Sequence, residues 1–374
     1  MTDEPQPPTG MPSADAPATP LVPPPHASPT VSTLAIPPVS STRALLGASF
    51  DLLGRSSEEM RRASFYVGAI VLGTAGPFAL ASWALEVIGL NRTNEQMTRA
   101  LDDGGGGMLA VLALIAAMGL TVAIVESRSM AMAVLGGRMA GRPVTPRQAL
   151  ARSRSTFWRA IVAAIIVAIP IGIVQSAAEA VFMSIVGRPV DISIVIATLA
   201  TAIVGAPLAY VLAGVVLGDV EPFEALRRSV RVFRARKMAA AIVAAFETTA
   251  VLLILAGLSA GLDIALRVFS ALGLGPDAGP VGLALTTVGI IATIFAAGTL
   301  LFTVYAITVA PQVVMFVGLT HATIGLDRVR PGGSHDPAAR RPGTRRFRRL
   351  TRSMLLGFGL GILGLVGVVN RFQA

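Results

Sequence analysis

No cysteine occurs in the 374 residues, and lysine occurs once, as Lys237. The first absence removes disulfides, thiol nucleophiles and thiolate metal sites together. The second leaves no phosphate-cradling Gly-Lys-Ser/Thr loop, because Met238 follows the only lysine. Charge is scarce: 14% of the residues are Asp, Glu, Lys or Arg, where a soluble chain carries about a quarter. Aromatic residues make up only 5%, too few for a base-stacking platform, so the net charge of +10 does not read as a nucleic-acid surface. The three histidines, His26, His321 and His335, are never paired at helical spacing, and no His-Glu-x-x-His motif exists. A Gly-x-Ser-x-Gly elbow is also missing. The sequence therefore nominates no catalytic, cofactor-binding or metal residue, and implies no cofactor.

Long apolar runs fill the chain instead. Hydrophobic residues make up 53%, and the mean hydropathy is +0.70. A helix crossing a hydrocarbon core about 30 Å thick needs about 20 apolar residues. Runs of that kind lie at Ser64–Leu90, Met108–Ser127, Phe157–Val186, Ile192–Leu217, Met238–Leu272 and Val281–Gly318, with a shorter, glycine-rich one at Met354–Val369. The two longest runs exceed one crossing. We read Val281–Gly318 as a single span that bends or ends near Pro311, because no polar turn divides it. Residues 1–40 hold nearly half of the 25 prolines and no lysine or arginine, which predicts a disordered tail and no secretory signal. Pro7-Pro8 and Pro37-Pro38 there suit a tether or a docking motif. Thr42–Ser64 is short, amphipathic and basic, as expected of a helix in the membrane interface.

Basic residues alternate between loops. Arg138, Arg142, Arg147, Arg152 and Arg154 fall between spans two and three. Arg227, Arg228, Arg231, Arg234, Arg236 and Lys237 follow span four, and Arg328 to Arg352 precede the last run. The intervening loops at 91–107, 187–191 and 273–280 are poor in basic residues and contain Asp102, Asp103, Asp191 and Asp277. By the positive-inside rule this places the N-terminus in the cytoplasm of a multi-pass protein of the cell membrane.

Two basic loops share a pattern. Pro146-Arg147-Gln148-Ala149-Leu150-Ala151-Arg152-Ser153 aligns with Pro222-Phe223-Glu224-Ala225-Leu226-Arg227-Arg228-Ser229, and Phe157 with Phe233. Proline suits a first helical turn, and Leu150 and Phe157, seven apart, share a face. Ala44-Leu45 begins a looser copy before span one. The pattern predicts a cytoplasmic amphipathic helix plus two spans, used three times in parallel orientation. The Ala-Leu-x-Arg-Ser helices resemble those of a bacterial membrane family similar to the membrane domain attached to some glycerophosphoryl diester phosphodiesterases, and to YciC-like proteins. The resemblance covers roughly residues 40–325. It implies a six-helix membrane fold and transfers no catalytic residue, because the phosphodiesterase's soluble barrel has no counterpart here.

The expected architecture is thus an all-α bundle of six or seven transmembrane helices with cytoplasmic amphipathic helices. Its parts are a tail at 1–40, a six-span domain at 41–325, an Arg-rich loop at 326–353, and a seventh span with a short external end at 354–374. Charges inside a bilayer are costly, and Glu247 is the one acid set well inside a span. Tyr210, Gln175 and Tyr305 are candidate partners for it. Glu86, Glu179 and Asp263 fall near the outer interface, with Arg267 four residues from Asp263, and Glu126 near the inner one. Ser153 and Ser229 suit backbone hydrogen bonding. Arg152, Arg154, Arg227, Arg228, Arg231 and Arg234 are candidate contacts for anionic lipid headgroups. The function expected is a non-enzymatic, lipid-associated envelope component, with a membrane-protein partner conceivable. The alternative is a small permease with a cavity near Glu247. Because no native thiol interferes, single cysteines can report the orientation. Cysteines at 105 and 374 are expected to react with an impermeant thiol reagent added outside intact cells, and those at 140 and 235 only after lysis. Labelling of 140 or 235 in intact cells would reverse the assignment.

Overall fold

A computed structural model describes residues 41–89, 106–186, 199, 202–271 and 280–338. Within them the chain is entirely helical, with no strand. Nine α-helices are bounded: α1 Thr42–Arg55, α2 Ser57–Gly89, α3 Gly106–Met139, α4 Pro146–Ser155, α5 Phe157–Val186, α6 Val211–Gly218, α7 Pro222–Ala235, α8 Lys237–Ala271 and α9 Pro280–Ile324. Five of them, α2, α3, α5, α8 and α9, are long and apolar enough to cross a membrane. Their outward faces carry large apolar side chains such as Leu114, Met118, Ile165, Ile169, Ile173 and Leu253, all exposed. Water-soluble monomers rarely leave contiguous apolar surface of this extent bare. Together these features mark a membrane-embedded protein.

The structure refines several expected boundaries. Val281–Gly318 lies within one continuous helix, α9, and Pro311 sits inside it without ending it. At 1.5 Å per residue its 45 residues span about 68 Å, beyond the roughly 40–45 Å of a bilayer with its headgroups. Span two does not stop at Ser127: α3 continues to Met139, so Arg128 and Arg138 stand on a helix and not in a loop. The physical reason is burial. Met130 to Leu135 are sequestered on every side, and a helix apolar all round is a core helix. The run Ile192–Leu217 is described from 202 onward, where a 3-10 turn at Ala206–Leu208 separates a first helical stretch from α6. The tail at 1–40, the outer loops and Met354–Val369 lie outside the described residues, as do the side chains of Glu86 and Asp263.

Each of the three short basic helices runs into a long apolar one across a single residue: Ser56, Thr156 or Arg236. Side chains start two of them. Ser41 accepts from the Ala44 N–H at 3.2 Å, and Thr145 forms a reciprocal capping box with Gln148. Proline occupies the first turn of α4 and of α7. Three buried positions correspond in those two helices, Pro146, Ala149 and Ser153 in one and Pro222, Ala225 and Ser229 in the other, whereas Leu150 and Arg152 are buried and their counterparts Leu226 and Arg228 only half-buried. In α1 the buried stripe is Leu45, Ser49 and Leu52.

The most extensive helix pairing is between α2 and α9. A Cβ added to Gly298 would lie 2.8 Å from the Gly68 Cα, and one added to Gly68 would lie 2.7 Å from the Thr299 Cγ2. Within a bilayer, where helix association depends on packing, small residues permit such backbone approach. Gly298→Val is expected to lower the thermal unfolding midpoint in detergent by overpacking worth about 1–3 kcal/mol. Gly172→Val, where an added Cβ meets nothing within 4 Å, should leave it nearly unchanged. Equal midpoints for the two variants would refute the close-packing account.

Candidate functional site

Glu247 on α8 does face the bundle, with partners that differ from those expected. Arg128 on α3 donates through Nη2 to its Oε1, and Gln312 on α9 donates through Nε2 to its Oε2. The ion-paired side chains are largely enclosed, at 27% exposure for Arg128 and 20% for Glu247. Tyr210 is engaged elsewhere, its hydroxyl 2.9 Å from the Met315 Sδ. Gln175 donates at 3.1 Å to Glu179, which is exposed, one helical turn away. Tyr305 lies near the pair without a recorded hydrogen bond to it. Arg128 escaped the sequence reading because it was assigned to a loop. The available signal was the lack of any helix breaker between Ser127 and Gly136. Gln312 left no local trace, since it stands 65 residues from Glu247 in the chain.

Beside this pair lies a cavity of about 410 Å³ between α3, α5, the 202–212 segment, α8 and α9. Its walls are almost wholly apolar, and Arg128, Glu247, Thr248 and Tyr305 supply its polar groups. Space exists there because the facing positions are small: Ala164, Ala168, Gly205 and Ala209. The long helices α5 and α8 scarcely touch one another, so the cavity occupies the gap between them.

The lipid-contact candidates divide into three groups. Arg152 is not on the surface: it is 2% exposed and points inward. Its Nε donates to the Val216 carbonyl at 3.0 Å, Nη2 lies 3.1 Å from the Asp219 Oδ1, and Nη1 lies 3.9 Å from the Oδ1 of the buried Asp336. Burial pulls its guanidinium below the usual arginine range, and Asp219 and Asp336 oppose that shift. Sequence reasoning placed Arg152 at the surface because helix periodicity does not reveal counter-ions 67 and 184 positions downstream (219 minus 152, 336 minus 152). Arg154 and Arg228 form the second group, paired with Glu126 at 3.1 Å and Glu224 at 2.9 Å. The hydrogen bond from Arg228 holds the Glu224 carboxyl below its ordinary range. Arg227, Arg231 and Arg234 are exposed and make no ion pair or hydrogen bond among the described residues.

The start of the expected Arg-rich loop is built into this end of the bundle. Val329 and Asp336 are buried, and the Arg330 N–H donates to the Leu217 carbonyl at 2.8 Å. Arg142 donates through Nη2 to the carbonyls of Leu326 at 2.8 Å and Val329 at 3.2 Å. Ser153 and Ser229 do bond backbone, each on the helical segment preceding its own helix. Ser153 donates to the Glu126 carbonyl at 3.4 Å, and Ser229 to that of Pro207 at 2.6 Å. Ser229 also accepts from the Tyr210 N–H at 3.2 Å, bridging the break in the fourth apolar run. No group of three or more metal-ligating side chains occurs among the described residues.

Comparison with family models, with curated proteins and with solved structures finds no match.

The Arg128–Glu247 pair has a direct energetic test. Removing one partner of an enclosed pair leaves an uncompensated charge, costing about 3–5 kcal/mol, whereas replacing both by apolar residues is often near neutral. Glu247→Gln is expected to destabilise the folded protein accordingly, and Arg128→Met combined with Glu247→Leu to recover most of the loss. If the single variant unfolds at the wild-type midpoint, the pair is not maintained in the membrane.

Proposed function

We propose that this chain is a non-enzymatic, lipid-associated component of the cell membrane, with its N-terminus and basic helices on the cytoplasmic side. In this reading residues 41–325 make six crossings in three parallel units, and 354–369 makes a seventh. Three short basic helices with one-residue junctions to long apolar helices support the repeat. So does the shared burial of Pro146, Ala149 and Ser153 with Pro222, Ala225 and Ser229. The alternation of basic loops supports the orientation. Kinship with the glycerophosphoryl diester phosphodiesterase membrane domain and YciC-like proteins is part of the same proposal.

One observation carries the lipid assignment. Among the described residues Arg227, Arg231 and Arg234 extend from α7 without an ion pair, Glu224 acting on the first two only at longer range, and exposed apolar side chains stand at the helix starts: Phe223, Met238 at 75% exposure and Trp158 at 76%. Arginine beside tryptophan and other apolar groups is the composition of a headgroup-level rim, where anionic lipid supplies the missing charge. The cavity beside Glu247 supports a second reading, a small permease or transporter subunit. In proteoliposomes containing anionic and zwitterionic lipid, the protein should extract with an excess of the anionic species. The triple change Arg227→Gln, Arg231→Gln, Arg234→Gln should reduce that excess several-fold without altering the fold. Retention that ignores the triple change would overturn the lipid assignment. A proton flux carried by the wild-type protein, and lost in the refolded Arg128→Met, Glu247→Leu double variant, would favour the permease.

A further inference from the structure

We infer that the cavity between α5 and α8 is a binding site for a single-chain amphiphile with an uncharged, hydrogen-bonding head, entering from the bilayer. This deepens the reading of that cavity as a ligand site and does not depend on the arginine rim. Volume sets the first limit. About 410 Å³ falls within the roughly 300–1,000 Å³ of small-molecule sites, towards the lower end, which suits one chain better than a two-chain lipid. The walls set the second. Val167, Ile171, Leu212 and Val251 offer only apolar contact along most of the space, so most of the occupant must be hydrocarbon.

Charge arithmetic decides the head. Among the described residues the cavity is lined by one cation and one anion, Arg128 and Glu247, already paired with each other. A phosphate or carboxylate head would bring an unmatched negative charge into this apolar space, or displace Glu247 and strand that charge instead. A neutral head carries neither penalty. The Arg128 Nε–H is buried without an acceptor, while Nη2 of the same guanidinium is engaged by Glu247. A hydroxyl or ester oxygen beside the pair can accept from the guanidinium where Arg128 lines the cavity, and a hydroxyl hydrogen can be given to a remaining lone pair of Glu247. Tyr305 adds a second polar group at the same end. Among the described residues α5 and α8 scarcely meet, and entry between them from the bilayer is the route this inference assigns.

The test uses the full chain in nanodiscs of defined two-chain lipid, avoiding detergents that are themselves single-chain amphiphiles. The probe is a long-chain monoacylglycerol carrying a diazirine on its chain. Saturable photolabelling is expected within residues 160–171 and 244–252, competed by unlabelled monoacylglycerol and about tenfold less well by lysophosphatidate of the same chain. The double change Ala164→Leu, Ala168→Leu fills the cavity from exposed positions on α5 without touching the ion pair, and should cut labelling about tenfold. Labelling that survives this change, or lysophosphatidate competing as well as monoacylglycerol, would overturn the inference. The rim triple variant separates the two proposals. Lost anionic-lipid retention with intact labelling leaves both standing. Labelling of the wild-type chain that fails while anionic lipid is retained overturns the cavity site alone, and a triple variant that retains anionic lipid as well as the wild type overturns the rim alone.

Discussion

Arg152 is the tie on which the basic end of the bundle depends. It leaves α4 inward, meets the final carbonyls of α6 through Val216, and lies between Asp219 and Asp336. Asp219 is the only non-glycine residue with a positive φ among those described, at 57°, and that left-handed turn ends α6. Its carboxylate also accepts from Arg159 at 2.8 Å, which fastens the start of α5. Asp336 in turn accepts from the N–H groups of Gly332 and Ala338, shaping the segment after α9. One guanidinium therefore links four stretches of chain. An apolar side chain there could fill the volume but could not choose these partners.

The same constraint recurs wherever charge turns inward. Arg128 meets Glu247 and Arg154 meets Glu126, so each buried or half-buried carboxylate described on the long helices has an arginine from another helix. In a chain with so few charges these pairings act as registers between helices whose apolar faces would otherwise slide with little penalty. Ser229 does the equivalent work for the backbone. Proline at 207 frees groups that a continuous helix would satisfy, and a serine from α7 serves both sides of the break.

Much of this was legible in the sequence because it is set locally. Apolar runs of bilayer length and the proline starts of α4 and α7 depend on residues within a few positions of one another. The Phe157–Val186 run matches α5 to the residue. What sequence left hidden is long-range. Arginines at helical spacing all look like surface groups, and only the tertiary structure separates Arg152, enclosed among distant aspartates, from Arg227, which stands on the matching basic helix and faces outward. The cavity was similarly silent. Alanines at 164, 168 and 209 read as packing residues until the helices opposite prove too far away to fill the space.

The wide spacing of the Arg152 partners also fixes an order of events during synthesis. Asp219 is made 67 residues after the arginine and Asp336 184 residues after it (219 minus 152, 336 minus 152). At translation rates of about 5–20 residues per second, the last counter-ion emerges roughly 10–40 s after Arg152. Between the synthesis of Asp219 and that of Asp336, Arg152 has Asp219 alone, and its second carboxylate contact waits until α8 and α9 have been made. Contact with residue 336 is thus the last part of this tie to be made, and a chain that stops short of it holds the arginine by one carboxylate where the finished protein has two.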